Sequence, residues 1–114
     1  MNKIEAIIRP EKLNSVKDAL ADVGLVGINV VHVTGRGIQK GIQAAGPRGV
    51  GSYAVEMLPK VKLELVVSDS DTEKAIDTII TNARTGNIGD GKIFVTPVAD
   101  AIRVRTGEKG DQAL

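Results

Sequence analysis

Two hydrophobic periods take turns along the chain. Lys3-Ile4-Glu5-Ala6-Ile7-Ile8-Arg9 is a short strand-like run, and Pro10 ends it because proline has no N–H to give to a ladder. Pro10 suits the first turn of a helix, where the missing N–H costs nothing. Leu13, Val16, Leu20 and Val23 then recur at helical spacing until Gly24 stops the pattern. Residues 28–34, INVVHVT, are rich in β-branched side chains and predict a second strand. Further on, Val61, Leu63, Leu65 and Val67 alternate with Lys62, Glu64 and Val66 at a period of two. Ser70-Asp71-Thr72-Glu73 has the form of a capping box. It predicts the start of a second helix carrying Ala75, Ile76, Ile79, Ile80 and Ala83, closed by Gly86. Residues 93–98 read as the fourth strand.

The order is β-α-β, a long loop, then β-α-β. Two such halves predict an α+β, ferredoxin-like βαββαβ sandwich in one domain over residues 1–114, with both helices on one face of the sheet. The other sheet face then has no cover from the chain itself. Ala6, Ile7 and Ile8 are apolar in succession, so both faces of that strand meet something, and self-association is the cheapest cover.

Residues 36–54 fit neither period. Six of the thirteen glycines lie between Gly35 and Gly51. Loops beyond roughly 12–15 residues are uncommon in compact domains and are usually functional or disordered. Glycine at this density makes one fixed conformation entropically costly, which suits a segment that folds differently against different partners. A disordered β-hairpin extension is the plainer alternative.

Composition removes whole classes of function. Fifteen Lys and Arg against fourteen Asp and Glu leave a net charge of +1, and 42% apolar with 25% charged residues is ordinary for a folded domain. There is no Cys for disulfides, thiolate nucleophiles or zinc-thiolate sites, and the single His32 excludes a multi-histidine metal site. One Tyr, one Phe and no Trp cannot build a nucleic-acid stacking platform, and +1 exerts little pull on duplex phosphates. No run approaches the roughly 18 apolar residues of a spanning helix, and the N-terminal stretch does not read as a signal peptide. The expectation is a cytoplasmic domain that is not membrane-embedded and binds no nucleic acid.

Two glycine motifs imitate known phosphate loops. Gly35-Arg36-Gly37-Ile38-Gln39-Lys40 begins like a dinucleotide fingerprint but has Lys40 at the last position and no helix after it. Gly86-Asn87-Ile88-Gly89-Asp90-Gly91-Lys92 has the P-loop spacing, yet Ile93 stands where a Ser or Thr must hold Mg²⁺, and a strand follows. The physics outlives the failed patterns, because glycines 86, 89 and 91 free backbone N–H groups to converge on an anion and Lys92 adds charge. A helix C-cap and tight turn would alone explain Gly86 and Gly89. In an extended segment Arg103 and Arg105 would present both guanidiniums to one side, a match for phosphate oxygens. Polyphosphate binding follows from the three signals together. No nucleophile–base pair is visible, His32 reads as a structural residue, and Glu64, Asp69, Asp71 and Asp90 lack a metal-cage spacing, so no enzyme is expected.

At this point the residues resemble a family. The run Thr85-Gly86-Asn87-Ile88-Gly89-Asp90-Gly91-Lys92-Ile93-Phe94-Val95 is similar to the C-terminal signature of the PII nitrogen-regulatory signal-transduction proteins. Gly35, Gly37, Gln39-Lys40-Gly41, Leu58-Pro59-Lys60 and Arg103-Val104-Arg105-Thr106-Gly107-Glu108 match the family's other stations in order, so the resemblance covers the whole chain. It implies a homotrimer of ferredoxin-like subunits in which ATP and ADP compete for clefts between neighbours. With Mg-ATP bound, 2-oxoglutarate would bind at the base of the long loop, the T-loop, at about residues 36–54. That loop would dock on targets such as ammonium transporters or nitrogen-assimilation enzymes, bringing a cytoplasmic sensor to the membrane only through a transporter partner.

Residue by residue, the resemblance gives Gln39 the Mg²⁺ and 2-oxoglutarate site, keeps Lys40 beside it, and pairs Lys60 with a 2-oxoglutarate carboxylate. Gly89, Asp90, Gly91 and Lys92, with Arg103 and Arg105, would line the phosphates. Asn29, Gly35, Gly37 and Glu64 would lie near the adenosine and Ile7 beside the base. Three departures stand out. Ile38 occupies a position where many relatives carry an Arg that contacts the terminal phosphate. Asn87 stands where Lys or Arg is usual. The loop lacks the usual Tyr-Arg-Gly-x-x-Tyr stretch, reading Gly46-Pro47-Arg48-Gly49-Val50-Gly51-Ser52-Tyr53, and is slightly longer. Tyr53 falls near the family's modified tyrosine, with an exposed, unmodified Tyr as the alternative. These departures leave open a divergent relative that binds nucleotides but serves another transporter or carbon metabolism without sensing 2-oxoglutarate.

Overall fold

The computed structural model describes residues 1–40 and 53–114, with side chains described at 1–36 and 57–114. Four strands and two helices follow one another as β1 (Asn2–Ile8), α1 (Leu13–Asp22), β2 (Asn29–Lys40), β3 (Tyr53–Val67), α2 (Thr72–Ala83) and β4 (Gly91–Pro97). The strands form one sheet in the order β2-β3-β1-β4 with every neighbouring pair antiparallel. This is the ferredoxin-like arrangement that the periodicities predict.

Strand alternation decides which side chains meet the helices. Ile4, Ala6 and Ile8 of β1 and Val61, Leu63, Leu65 and Val67 of β3 are buried. They pack with Val16 and Leu20 of α1 and with Ala75, Ile79 and Ala83 of α2 into one core. β1 and β3 are the two central strands, so their alternate residues carry most of this burial. Both helices therefore lie on one face.

The opposite face carries charge as well as apolar surface. Lys3 lies 4.0 Å from Glu5 and 3.8 Å from Glu64, while Lys62 lies 3.9 Å from Glu5. Across the sheet, Val31, Lys62, Ile7 and Lys92 form one row, and Asn29, Glu64, Glu5 and Phe94 form the next. Val31 and Phe94 are each 49% exposed, so this face holds apolar surface that neither α1 nor α2 covers.

Two local expectations change. The second helix opens without a side-chain cap, through a 3-10 turn at Asp69–Asp71. The Asp71 N–H and the Thr72 hydroxyl both donate to the Ser68 carbonyl, at 3.1 and 3.0 Å, so a backbone turn orders the entry that a capping box would otherwise hold. The ends of the long loop are also strand. Residues 36–40 pair with 57–53, from Arg36 opposite Met57 to Lys40 opposite Tyr53. β3 leaves β1 at Val61, and Pro59 lies beyond that point, where a missing donor is tolerated. The rest of the loop expectation, residues 41–52, lies outside the described residues.

Candidate functional site

The turn after α2 is organised around a carboxylate. The Asp90 Oδ2 atom accepts the N–H groups of Thr85 and Gly86 at 2.8 and 2.9 Å. Its Oδ1 accepts the Thr85 hydroxyl and Arg9 Nε, the latter at 3.2 Å. The Thr85 hydroxyl oxygen in turn accepts the Asn87 N–H at 3.1 Å. The Thr85 hydroxyl first, then the two N–H groups and Arg9, hold the Asp90 carboxyl well below the usual carboxylate range, and they outweigh the opposing effect of burial. Asp90 thus spends its oxygens on the turn's own donors. The N–H of Gly86, read from sequence as free for an anion, is one of them.

Two cations grip the same turn from the sheet. Arg9, at the end of β1, donates through Nη2 to the Ile88 carbonyl at 2.9 Å. Lys60, on β3, donates through Nζ to the Gly89 carbonyl at 2.6 Å. Burial lowers the Lys60 pKa and the neighbouring Arg9 guanidinium lowers it further, with Glu11 and Asp90 opposing. A cation held beside another cation is electrostatically unsatisfied, and an incoming anion would relieve it. Two glycines make this closeness feasible. At Gly89, φ is +106°, and a Cβ would come within 3.0 Å of Arg9 Nη2. At Gly91, φ is +107°, and a Cβ would overlap the Ile7 carbonyl oxygen.

The expected site residues fall into two groups. Lys60 and the Gly89–Lys92 run gather at one end of the sheet, where Arg9, which the sequence did not point to, joins them, and Ile7 lies directly opposite Lys92. Lys92 is exposed and has no ion pair among the described residues. Gly35 lies against the Lys60 stem, where a Cβ would stand 3.7 Å from its Cγ. Asn29 and Glu64 face each other four residues further along β3, about 13 Å from Lys60 at strand rise. They line a cavity of about 810 Å³ together with Asp111, Ala113 and Leu114 of the C-terminal segment. The backbones of Gly37, Gln39 and Lys40 continue β2, while the side chains of Gln39, Lys40 and Tyr53 lie outside the described residues.

Arg103 and Arg105 do not lie in an extended segment. The Gly107 N–H bonds the Arg103 carbonyl at 2.7 Å, turning the chain back, so strand alternation does not align the two guanidiniums. Arg103 instead pairs with Glu108 at 2.8 Å, and Arg105 sits exposed on the turn. Beyond placing Thr85 and Glu108 within runs that resemble the family, the sequence patterns give no reason to single out Arg9, Thr85 or Glu108 as working residues. The spacing from Thr85 to Asp90 and the position of Arg9 just before Pro10 are the only hints, and both gain meaning once β1 and β4 are side by side.

The family profile for nitrogen regulatory protein P-II matches residues 1–108. The chain belongs to the P-II family. It is 55% identical over 114 residues to nitrogen regulatory protein P-II of Azospirillum brasilense, with 100% of both chains covered. It is 54% identical to nitrogen regulatory protein P-II 1 of Methanothermobacter thermautotrophicus, covering 100% of this chain and 97% of that one. Among solved structures, Arabidopsis thaliana PII bound to citrate superposes with a TM-score of 0.79 at 43% identity, covering 99% of this chain and 91% of that chain. P-II proteins are, by name, regulators of nitrogen metabolism. Among the described residues no helix is long and apolar enough to cross a membrane, and no group of three or more His, Asp or Glu is placed to hold a metal ion.

Proposed function

We propose that this protein is a PII-type signal transducer that binds ATP or ADP and, with Mg-ATP, 2-oxoglutarate. It passes the ligand state to target proteins through the T-loop, and the targets are an ammonium transporter or nitrogen-assimilation enzymes. The observation that carries the reading is the turn at residues 85–91, gripped by Arg9 and Lys60 within a chain of the P-II family. Lys60, with its lowered pKa and a neutral carbonyl as its partner, suits the exchange of that carbonyl for a 2-oxoglutarate carboxylate. Gly89, Asp90, Gly91 and Lys92 would face the phosphates, with Asp90 contributing backbone because its carboxylate is committed. Gln39 would complete the Mg²⁺ and 2-oxoglutarate site, with Lys40 beside it.

The separation of the two residue groups supports a site shared between copies. Ile7 and Lys92 of one subunit would meet Asn29, Glu64, Arg103 and Arg105 of the next in a homotrimer, while Gly35 and Gly37 hold the loop base. The uncovered sheet face, with Val31 and Phe94 half exposed, is the surface such an assembly would bury. The working location is the cytoplasm, with membrane association only through a transporter. Calorimetry tests the core of this reading: ATP heat is expected, followed by 2-oxoglutarate heat only when Mg-ATP is present. Absence of the second heat removes the nitrogen-sensing half. Ile38 and the altered loop sequence favour a second reading, a nucleotide-binding regulator of another transporter or of carbon metabolism, and that result would select it.

A further inference from the structure

The C-terminal segment places an anion of its own on Arg103. The Nη1 atom donates to Glu108 Oε1 at 2.8 Å, and Nη2 donates to the Gln112 carbonyl at 2.8 Å. Backbone pairing sets this up. The Arg103 N–H donates to the Glu108 carbonyl at 2.9 Å, and Ile102 and Lys109 form an isolated bridge just outside that pair. Gly107, with φ +72°, closes the turn, and the Glu108 N–H finds the Thr106 hydroxyl at 3.2 Å. The chain therefore folds so that a carboxylate sits across from a guanidinium as cross-strand partners do. A guanidinium fork takes a carboxylate and a phosphate by the same geometry.

We infer that Glu108 is a built-in competitor for phosphate at Arg103, so that a nucleotide must share or displace the carboxylate to gain that guanidinium. The inference rests on the nucleotide reading above and adds to it a residue that sets discrimination by phosphate number. Repulsion from Glu108 scales with ligand charge: adenosine is indifferent to it, ADP feels it, and ATP feels it most. Arg105, exposed and without an ion pair among the described residues, escapes the competition.

The test is calorimetry of the full chain and its Glu108→Gln variant with adenosine, ADP and ATP at matched ionic strength. Glutamine keeps the size and an acceptor for Arg103 while removing the charge. ATP affinity is expected to rise about three- to fivefold, the scale of one partly exposed ion pair, with a smaller gain for ADP and none for adenosine. The gain should shrink at high salt. If Glu108 only folds the segment, the variant changes stability without any dependence on phosphate number. Unchanged or weakened ATP binding in a folded variant overturns the inference alone, while absence of ATP heat in the wild-type chain removes the nucleotide reading and the inference with it. Glu108→Asp shortens the reach by one methylene and is expected to shift ATP affinity the same way by a smaller factor. It serves as the variant if circular dichroism finds the Gln form unfolded, and unchanged affinity there is equally fatal.

Discussion

Asp90→Asn separates charge from shape at the centre of the candidate site. The carboxylate accepts from the Thr85 and Gly86 N–H groups, the Thr85 hydroxyl and Arg9 Nε. An amide offers one acceptor oxygen and an NH₂ group, so two donors on one side lose their acceptor and meet hydrogens instead. Hydrogen bonds to a charged group contribute about 1.5–3 kcal/mol each against about 1 for neutral ones. The Asp90 side chain is 25% exposed, so water can reclaim part of the loss. A net cost of about 2 kcal/mol follows, a fall in Tm of about 10 °C for a domain of this size. Urea melts at one fixed protein concentration measure it, because any self-association couples stability to concentration. The pH dependence supplies a second reading. With its folded pKa depressed, Asp90 contributes stability that is present above the unfolded carboxylate value near about 3.9 and is lost as pH falls below it toward the lower folded value. The gap between wild type and variant should therefore narrow as the medium is acidified below pH ~4. A variant within about 0.5 kcal/mol of wild type, with unaltered amide exchange at Thr85 and Gly86, would refute the carboxylate's organising role.

Other substitutions probe the neighbouring parts. Lys60→Met removes the donor to the Gly89 carbonyl while keeping the stem's packing, and 2-oxoglutarate affinity should fall at least about tenfold by calorimetry with ATP heat retained. Equal loss of both ligands would place Lys60 in the general stability of the turn instead. Gly91→Ala places a methyl into the Ile7 carbonyl at a positive φ, and should cost about 3 kcal/mol or prevent soluble expression. A thermal melt within a few degrees of wild type would mean that β4 can shift away from β1 more easily than its pairing implies.

What the sequence made legible follows from where burial imposes a period. β3 between Val61 and Val67 alternates because its two faces meet a helix layer and an open face, and that demand is written residue by residue. α1 and α2 likewise show their apolar stripes. Among the described residues, the stem at residues 36–40 and 53–57 pairs with itself beyond the reach of β1, and its strand character left no hydrophobic trace in the sequence. The capping box misled because Ser, Asp and Thr at a helix start also suit a 3-10 entry ordered by the Ser68 carbonyl. At the site, glycines and Lys92 were visible as chemistry. Arg9 was not, because its partners at residues 88 and 90 lie some eighty positions away and only the β1–β4 register brings them together. The same limit applied to Arg103, whose partner Glu108 is near in sequence but opposite only after a turn.

The distribution of committed and uncommitted charge bears on how a chain of net charge +1 would favour the polyanions of the proposed reading. At the turn, Arg9 is neutralised by Asp90, while Lys60 leans on a neutral carbonyl and Lys92 has no ion pair among the described residues. At the C-terminal segment, Arg103 is neutralised by Glu108, while Arg105 has no ion pair among the described residues. Each group thus holds one guanidinium in place with an internal carboxylate and leaves at least one other cation without a carboxylate. The fixed pairs give geometry, since a bound guanidinium loses little further entropy on meeting a ligand. The unpaired cations give attraction, which salt screens over about 10 Å at 0.1 M. Ligand affinity in such a design should weaken with salt through Lys92 and Arg105 more than through Arg9 and Arg103. Neutralising Lys92 should therefore flatten the salt dependence of ATP binding, whereas neutralising Arg9 should loosen the turn and leave that slope nearly intact.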